Sequence, residues 1–189
     1  MAMQSGGLPS EYRKVEYLES TGTQYIDTGA YFVKNDICTI DFAPLESAVD
    51  KAVFGVYGSS TNIAELGFLS DRFRFDVTTT LGDIYEVGTR YKVVKDGATW
   101  SVDDWTSALQ FINNDVPQHS LLLFGRWYNE EATKLSANRI FGYEHERSGN
   151  KIRNFIPCIR KADGKPGMYD IVTKTFYTNA GTGEFIVPN

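Results

Sequence analysis

Along this chain, apolar and polar residues alternate with a period of two in short runs, each cut by Gly, Pro, Asn or Asp. Successive side chains of a β-strand point to opposite faces, so each run reads as a strand with one face toward a core and one toward water. Asp36–Phe42 shows the pattern most plainly. Cys38, Ile40 and Phe42 share one face, Thr39 and Asp41 the other, and Pro44, with no N–H for a ladder, closes the run. The same reasoning predicts strands over Tyr12–Leu18 and Thr23–Gly29, turned at Ser20-Thr21-Gly22, and a hairpin of Lys51–Tyr57 and Ala64–Leu69 around a small polar loop. Arg72–Thr78 alternates Phe73 and Phe75 with Arg72, Arg74 and Asp76, which predicts an exposed polar face. Tyr85–Val94 leads to Asp96-Gly97, a strong hairpin signal because Gly takes the positive φ of a tight turn, and Ala98–Val102 returns.

The second half continues in the same way. Trp105–Ile112 fits either period: Trp105, Ala108, Leu109 and Ile112 would share a helical face, and Trp105, Ser107, Leu109 and Phe111 a strand face. It is read as a strand. After a loop at Asn113–Pro117, Ser120–Gly125 is a nearly continuous apolar strand, buried on both faces, that leaves into a long loop over Arg126–Lys134. Asn138–His145 and Lys151–Arg160 pair around Ser148-Gly149-Asn150. The closing strands Met168–Val172 and Thr175–Thr178 are set off by Asp163-Gly164, Pro166-Gly167 and Asn179-Ala180-Gly181. About a dozen short strands without a secure long helix predict an all-β fold, a two-sheet antiparallel β-sandwich.

Composition sharpens this picture in three ways. The 189 residues suit one domain over 8–189; the opening MAMQSGG lacks the basic-then-apolar order of a secretory signal and is set aside as an expression leftover or a mature start. An aromatic share of 14% with 17 glycines favours pleated sheet joined by tight turns. The net charge of −5 supplies no basic field for phosphates, so nucleic acid and anionic membrane surfaces are not expected partners, and no apolar run approaches the roughly 20 residues that span a bilayer. Two cysteines, Cys38 and Cys158, are too few for a stapled scaffold. Both fall at core positions, as free thiols or as one disulfide between distant strands.

The segments Tyr17–Gly29, containing TQYIDTG, and 153–185, RNFIPCIRKADGKPGMYDIVTKTFYTNAGTGEF, together resemble laminin-G-like, concanavalin-A-like jelly-roll domains of gut-bacterial surface proteins and phage virion proteins. The resemblance covers both ends closely and the middle only in rhythm. It implies jelly-roll topology, an extracellular, cell-surface or virion location, and a larger multidomain parent or a homo-oligomer. Where related sequences often place Asn-Gly in the last hairpin, this one has Thr173-Lys174, so a longer or bulged turn is expected there. Laminin-G-like domains often hold calcium at a rim, which makes Asp71, Asp76, Asp83, Asp103 and Asp104 candidate ligands. No loop carries the dense alternating carboxylates of a recognisable calcium motif, so no cofactor is assigned.

Candidate chemistry is mainly that of recognition. Glucanases on this sandwich need two carboxylates facing one groove, and no Glu-x-Asp-x-Glu triplet occurs; Glu16/Glu19, Asp71/Asp76 and Asp103/Asp104 read as strand ends or solvated turns. His119 and His145 lack a nucleophile in an elbow motif and read as surface residues. Gly181-Thr-Gly183 precedes no helix, which excludes a phosphate cradle. The positive signal is Arg126, Trp127, Tyr128 and Asn129, an aromatic platform beside planar groups that pair with sugar hydroxyls, with Tyr57 and Asn62 on a companion loop. Taken by themselves, Trp127 and Tyr128 fit a cap on the sandwich core better than a ligand platform. The expected function is a non-catalytic carbohydrate-binding or adhesion module whose partner is a glycan or cell-surface receptor. A virion assembly domain and a glucanase-type hydrolase are the alternatives.

Overall fold

The computed structural model describes residues 7–47, 50–59, 62–76, 84–103, 105–106, 115–116 and 119–188. Among these, every regular element is a strand. The first nine are β1 (Tyr12–Lys14), β2 (Leu18–Thr21), β3 (Ile26–Asp27), β4 (Ile37–Pro44), β5 (Lys51–Ser59), β6 (Asn62–Leu69), β7 (Arg72–Phe75), β8 (Tyr91–Asp96) and β9 (Thr99–Val102). The rest are β10 (Trp105–Thr106), β11 (Leu122–Leu123), β12 (Arg126–Tyr128), β13 (Glu131–Thr133), β14 (Ala137–Arg147), β15 (Asn150–Arg160), β16 (Pro166–Asp170) and β17 (Thr175–Thr178). No helix among the described residues is long and apolar enough to cross a membrane.

The strands form two sheets. The larger runs β10-β9-β8-β4-β14-β15-β16-β17, antiparallel throughout. β14 and β15 pair only from Tyr143↔Phe155 to their hairpin; beyond it they part, and β2 pairs with β14 while β1 pairs with β15. The smaller sheet runs β13-β12-β5-β11-β3, with β6 and then β7 on the other side of β5. It is mixed, because β12 meets β5 in parallel at Trp127↔Val56.

The alternating faces meet between the sheets. Cys38, Ile40, Phe42 and Tyr143 from the larger sheet join Phe54, Val56, Leu66, Phe68, Phe73 and Phe75 from the smaller one in a single core cluster. Ring centroids of Phe42 and Phe68 lie 6.2 Å apart, and those of Phe54 and Tyr143 5.9 Å apart, so the contact is made directly across the gap. The fold is thus an all-β sandwich, as the period-two pattern predicts.

Local outcomes differ where chain geometry overrides pattern. Leu121 to Phe124 are all fully buried, as expected, but only Leu122–Leu123 pair as a strand. Phe124 takes φ 68 and donates its N–H to the Val53 carbonyl, which reverses the chain into β12. The expected long loop over Arg126–Lys134 is instead the tight β12–β13 hairpin, with Asn129 and Glu130 both at positive φ (48 and 64) as a two-residue turn of this type requires. The last hairpin has the longer turn that Thr173-Lys174 implied. Lys174 takes φ 58, and Asp170 holds the turn by accepting from the Val172 N–H at 3.0 Å and the Thr173 hydroxyl at 2.7 Å. Trp105 and Thr106 are paired in a strand; the remainder of the Trp105–Ile112 stretch lies outside the described residues.

Cys38 and Cys158 are both buried and free, which resolves the alternative of a disulfide. His145 is not a surface residue. It is fully buried, directly opposite Cys38 in the β4–β14 register, with Nε2 2.8 Å from Asp36. The polar face expected to be exposed on β7 is covered too: Arg72 is exposed, but Arg74 and, just past the strand, Asp76 are buried. Each has found an opposite charge, without which burial would be prohibitive.

Candidate functional site

Strand alternation sends Phe54, Val56, Leu66, Phe68, Phe73 and Phe75 of the smaller sheet into the core. The residues between them face the other way. Tyr57 on β5, Glu65 on β6, Arg74 on β7, and Arg126 and Tyr128 on β12 come together on that outer face. Two glycines make the approach close enough. Gly67 stands opposite Arg74 and Gly55 opposite Glu65. A Cβ on Gly67 would run into the Lys51 carbonyl and press within 3.1 Å of both the Arg74 guanidinium and the Glu65 carboxylate.

The floor of the site is an alternating chain of charges. Glu65 is fully buried, and its two carboxylate oxygens are taken separately, Oε1 by Arg74 and Oε2 by Arg126, the latter at 2.5 Å. Arg74 extends its other nitrogen to Asp50, which also accepts from Lys134. Burial alone would raise the Asp50 carboxyl; Lys134 and Arg74 outweigh it and hold it below its ordinary value. Burial alone would also lower the Arg74 guanidinium, yet Glu65 and Asp50 keep it above its usual range. The series therefore runs Lys134, Asp50, Arg74, Glu65, Arg126, with a cation at each end.

Two tyrosines wall this floor. The Tyr57 and Tyr128 rings meet edge to face with centroids 5.0 Å apart. The Arg126 guanidinium carbon lies 4.7 Å from the Tyr57 centroid and 5.4 Å from that of Tyr128. Cation–π attraction and the Glu65 bond together fix the position of Arg126. The cleft so formed has a volume of about 290 Å³ and is lined by Tyr57, Ile63, Arg74, Asp76, Arg126, Tyr128 and Lys134. Asp76 belongs to it and to the core at once. It accepts from Lys95 Nζ and Trp100 Nε1, each at 3.1 Å, and from the Glu65 N–H, which ties the cleft to the larger sheet. Burial raises the Asp76 carboxyl, against the opposing pull of Lys95 and Trp100.

Of the six site residues read from the sequence, the structure brings Tyr57, Arg126 and Tyr128 into one cleft. Asn129 sits at the β12–β13 turn and lines an adjoining hollow of about 390 Å³ with Tyr57, Gly58, His119 and Glu130. Asn62 opens β6 opposite Ser59 and does not line the cleft. Trp127 is on the opposite face. Because 126–128 is a strand, Trp127 turns toward the core beside Val56, against Tyr25 and His119 at 6.5 and 5.6 Å between centroids. It forms the wall of a separate, open groove of about 540 Å³ with Tyr25, Glu130 and Glu131.

Sequence reasoning does not select Asp50, Glu65, Arg74 or Lys134, and it offers Asp76 only as a calcium ligand or a solvated turn carboxylate. One signal was present: Glu65 is a lone carboxylate within an apolar strand run, and such a residue needs a buried partner. Of the candidate calcium ligands, Asp76 is committed to Lys95, Asp103 accepts from the Lys92 N–H, and Asp83 and Asp104 lie outside the described residues. Among the described residues, no three His, Cys, Asp or Glu side chains are grouped as a metal site would need. No protein-family model and no curated protein matches the chain.

Proposed function

We propose that this protein is a non-catalytic carbohydrate-binding module whose site is the cleft between Tyr57 and Tyr128. The observation that carries the reading is the placement of Arg126, held by Glu65 beneath and by two tyrosine rings beside it. A saccharide offers C–H faces and pairs of hydroxyls. Rigid aromatic walls next to a pre-positioned guanidinium match both features at low entropic cost. The carboxylates nearest the cleft support binding over hydrolysis, because Glu65 has both oxygens on arginines and Asp76 is tied to Lys95 and Trp100. Neither is placed to deliver a proton or attack a sugar carbon. Such a module would act in adhesion, displayed outside the cell or on a virion.

A glycan array probed with the whole chain, in calcium and in chelator, tests this. Defined hits that disappear in Tyr128→Ala, with an unchanged melting temperature, are the expected result. A blank array would overturn the reading in favour of a protein-assembly role, and release of reducing sugar would overturn its non-catalytic part.

A further inference from the structure

We infer that the saccharide taken by this cleft carries an anionic group, a carboxylate or a sulfate. The inference rests on the glycan reading above and specifies its ligand. Among the described residues, three cations, Lys134, Arg74 and Arg126, share two carboxylates, Asp50 and Glu65, so the connected network holds one positive charge in excess. Asp76, also in the cleft, does not cancel it, because Asp76 is the partner of buried Lys95. This local excess stands against a chain whose net charge is −5. A positive cleft on a negative protein is a local feature of the site.

The donors agree with the charge count. Nη1 of Arg126 is bonded to Glu65, while its Nε is buried without a hydrogen-bond partner among the described residues, as is Nε of Arg74. Two unpaired buried guanidinium donors make this charge excess costlier to desolvate, and an anion in the cleft offsets that cost by its charge. Lys134, at the other end of the series, lines the same cleft. A neutral sugar that displaces water from this network would leave the excess charge desolvated. A sugar carboxylate or sulfate would complete the alternation and bring the network to neutrality.

The test is calorimetric titration of the full chain with four oligosaccharides of equal length: a hexuronate, its methyl ester, a sulfated analogue and a neutral one, each at low and high salt. The hexuronate or the sulfated sugar should bind at least about tenfold more tightly than the ester and the neutral sugar, with the advantage shrinking at high salt. Lys134→Gln, at a partly exposed end of the series, should reduce that advantage severalfold while leaving the melting temperature unchanged. Equal or tighter binding of the ester would overturn the inference and leave the glycan reading standing. No binding of any saccharide, with a blank array, would remove both.

Discussion

Asp36 and His145, 109 residues apart in sequence, place a carboxylate oxygen and an imidazole nitrogen 2.8 Å from each other, with both side chains buried. Arg147 approaches the same carboxylate from the partly exposed side, at 2.9 Å. Burial disfavours the charged imidazole, but the Cys38 sulfur and the Asp36 carboxylate outweigh it and push His145 up to about 9 from an ordinary 6.5. Burial likewise opposes the Asp36 carboxylate, and the bonds from His145 and Arg147 bring it below its usual value.

The sign of the resulting pH dependence follows from linkage. His145 binds its proton more tightly in the folded state, so its contribution is complete below about pH 6.5 and is lost as pH rises toward 9. Asp36 works in the other direction, contributing above its ordinary value of 3.8 and losing that contribution as the solution becomes more acidic. Urea midpoints measured across pH should therefore fall from near-neutral to pH 9. In His145→Gln that alkaline fall should flatten; an unchanged profile would mean that this pair does not set it.

Lys95 and Asp76 form a fully buried ion pair between the sheets, with Lys95 also 4.7 Å from the Trp100 ring. Removing one partner leaves an uncompensated charge in the interior. Lys95→Met should cost about 3–5 kcal/mol by denaturant unfolding, and adding Asp76→Asn to it should recover part of the loss.

Trp127 and Tyr128 are adjacent but face opposite sides of β12, so their truncations should separate. Trp127→Ala removes a ring packed against the core and should lower stability by about 2–4 kcal/mol, with little change in affinity for the cleft ligand. Tyr128→Ala should do the reverse. Parallel melting and glycan titrations distinguish them, and loss of binding in both would place Trp127 at the site after all.

Gly67 leaves room beside it for the Arg74 guanidinium and the Glu65 carboxylate. Gly67→Ala puts a methyl group against the Lys51 carbonyl, the Arg74 guanidinium and the Glu65 carboxylate. Stability should fall by about 1–3 kcal/mol, and cleft affinity should fall with it because the charge series is forced apart.

Burial pushes the Cys158 thiol up to about 12. Thiolate is the reactive form, so alkylation of native protein at neutral pH should leave this residue unmodified, whereas unfolded protein should take up label at both cysteines. Mass analysis after a short iodoacetamide pulse reads the difference.

Much of the fold was legible in the chain because its signals are local. Cys38, Ile40 and Phe42 alternate with Thr39 and Asp41, and the first three are fully buried while the others are partly covered. Gly97 and Gly149 stand where the hairpins turn, both at positive φ. Glu130 also adopts positive φ, of which its side chain gives no warning, so the tight Asn129-Glu130 turn reads from the sequence as part of a long loop. That error carried into the site. Taken as loop, Arg126, Trp127 and Tyr128 could share one surface; as strand, they cannot.

The sequence alone determined an all-β sandwich, the buried faces of its longer strands and the presence of Tyr57, Arg126 and Tyr128 among the residues of interest. Each of these follows from side-chain chemistry and a two-residue period within a few neighbours. Only the tertiary structure decided that β12 would lie beside β5, and so bring Arg126 onto Glu65 and Arg74 from strands far away in the chain. Which strands become neighbours depends on how two sheets of given twist and side-chain volume close over a common core, and that balance is not written in the period of any one of them.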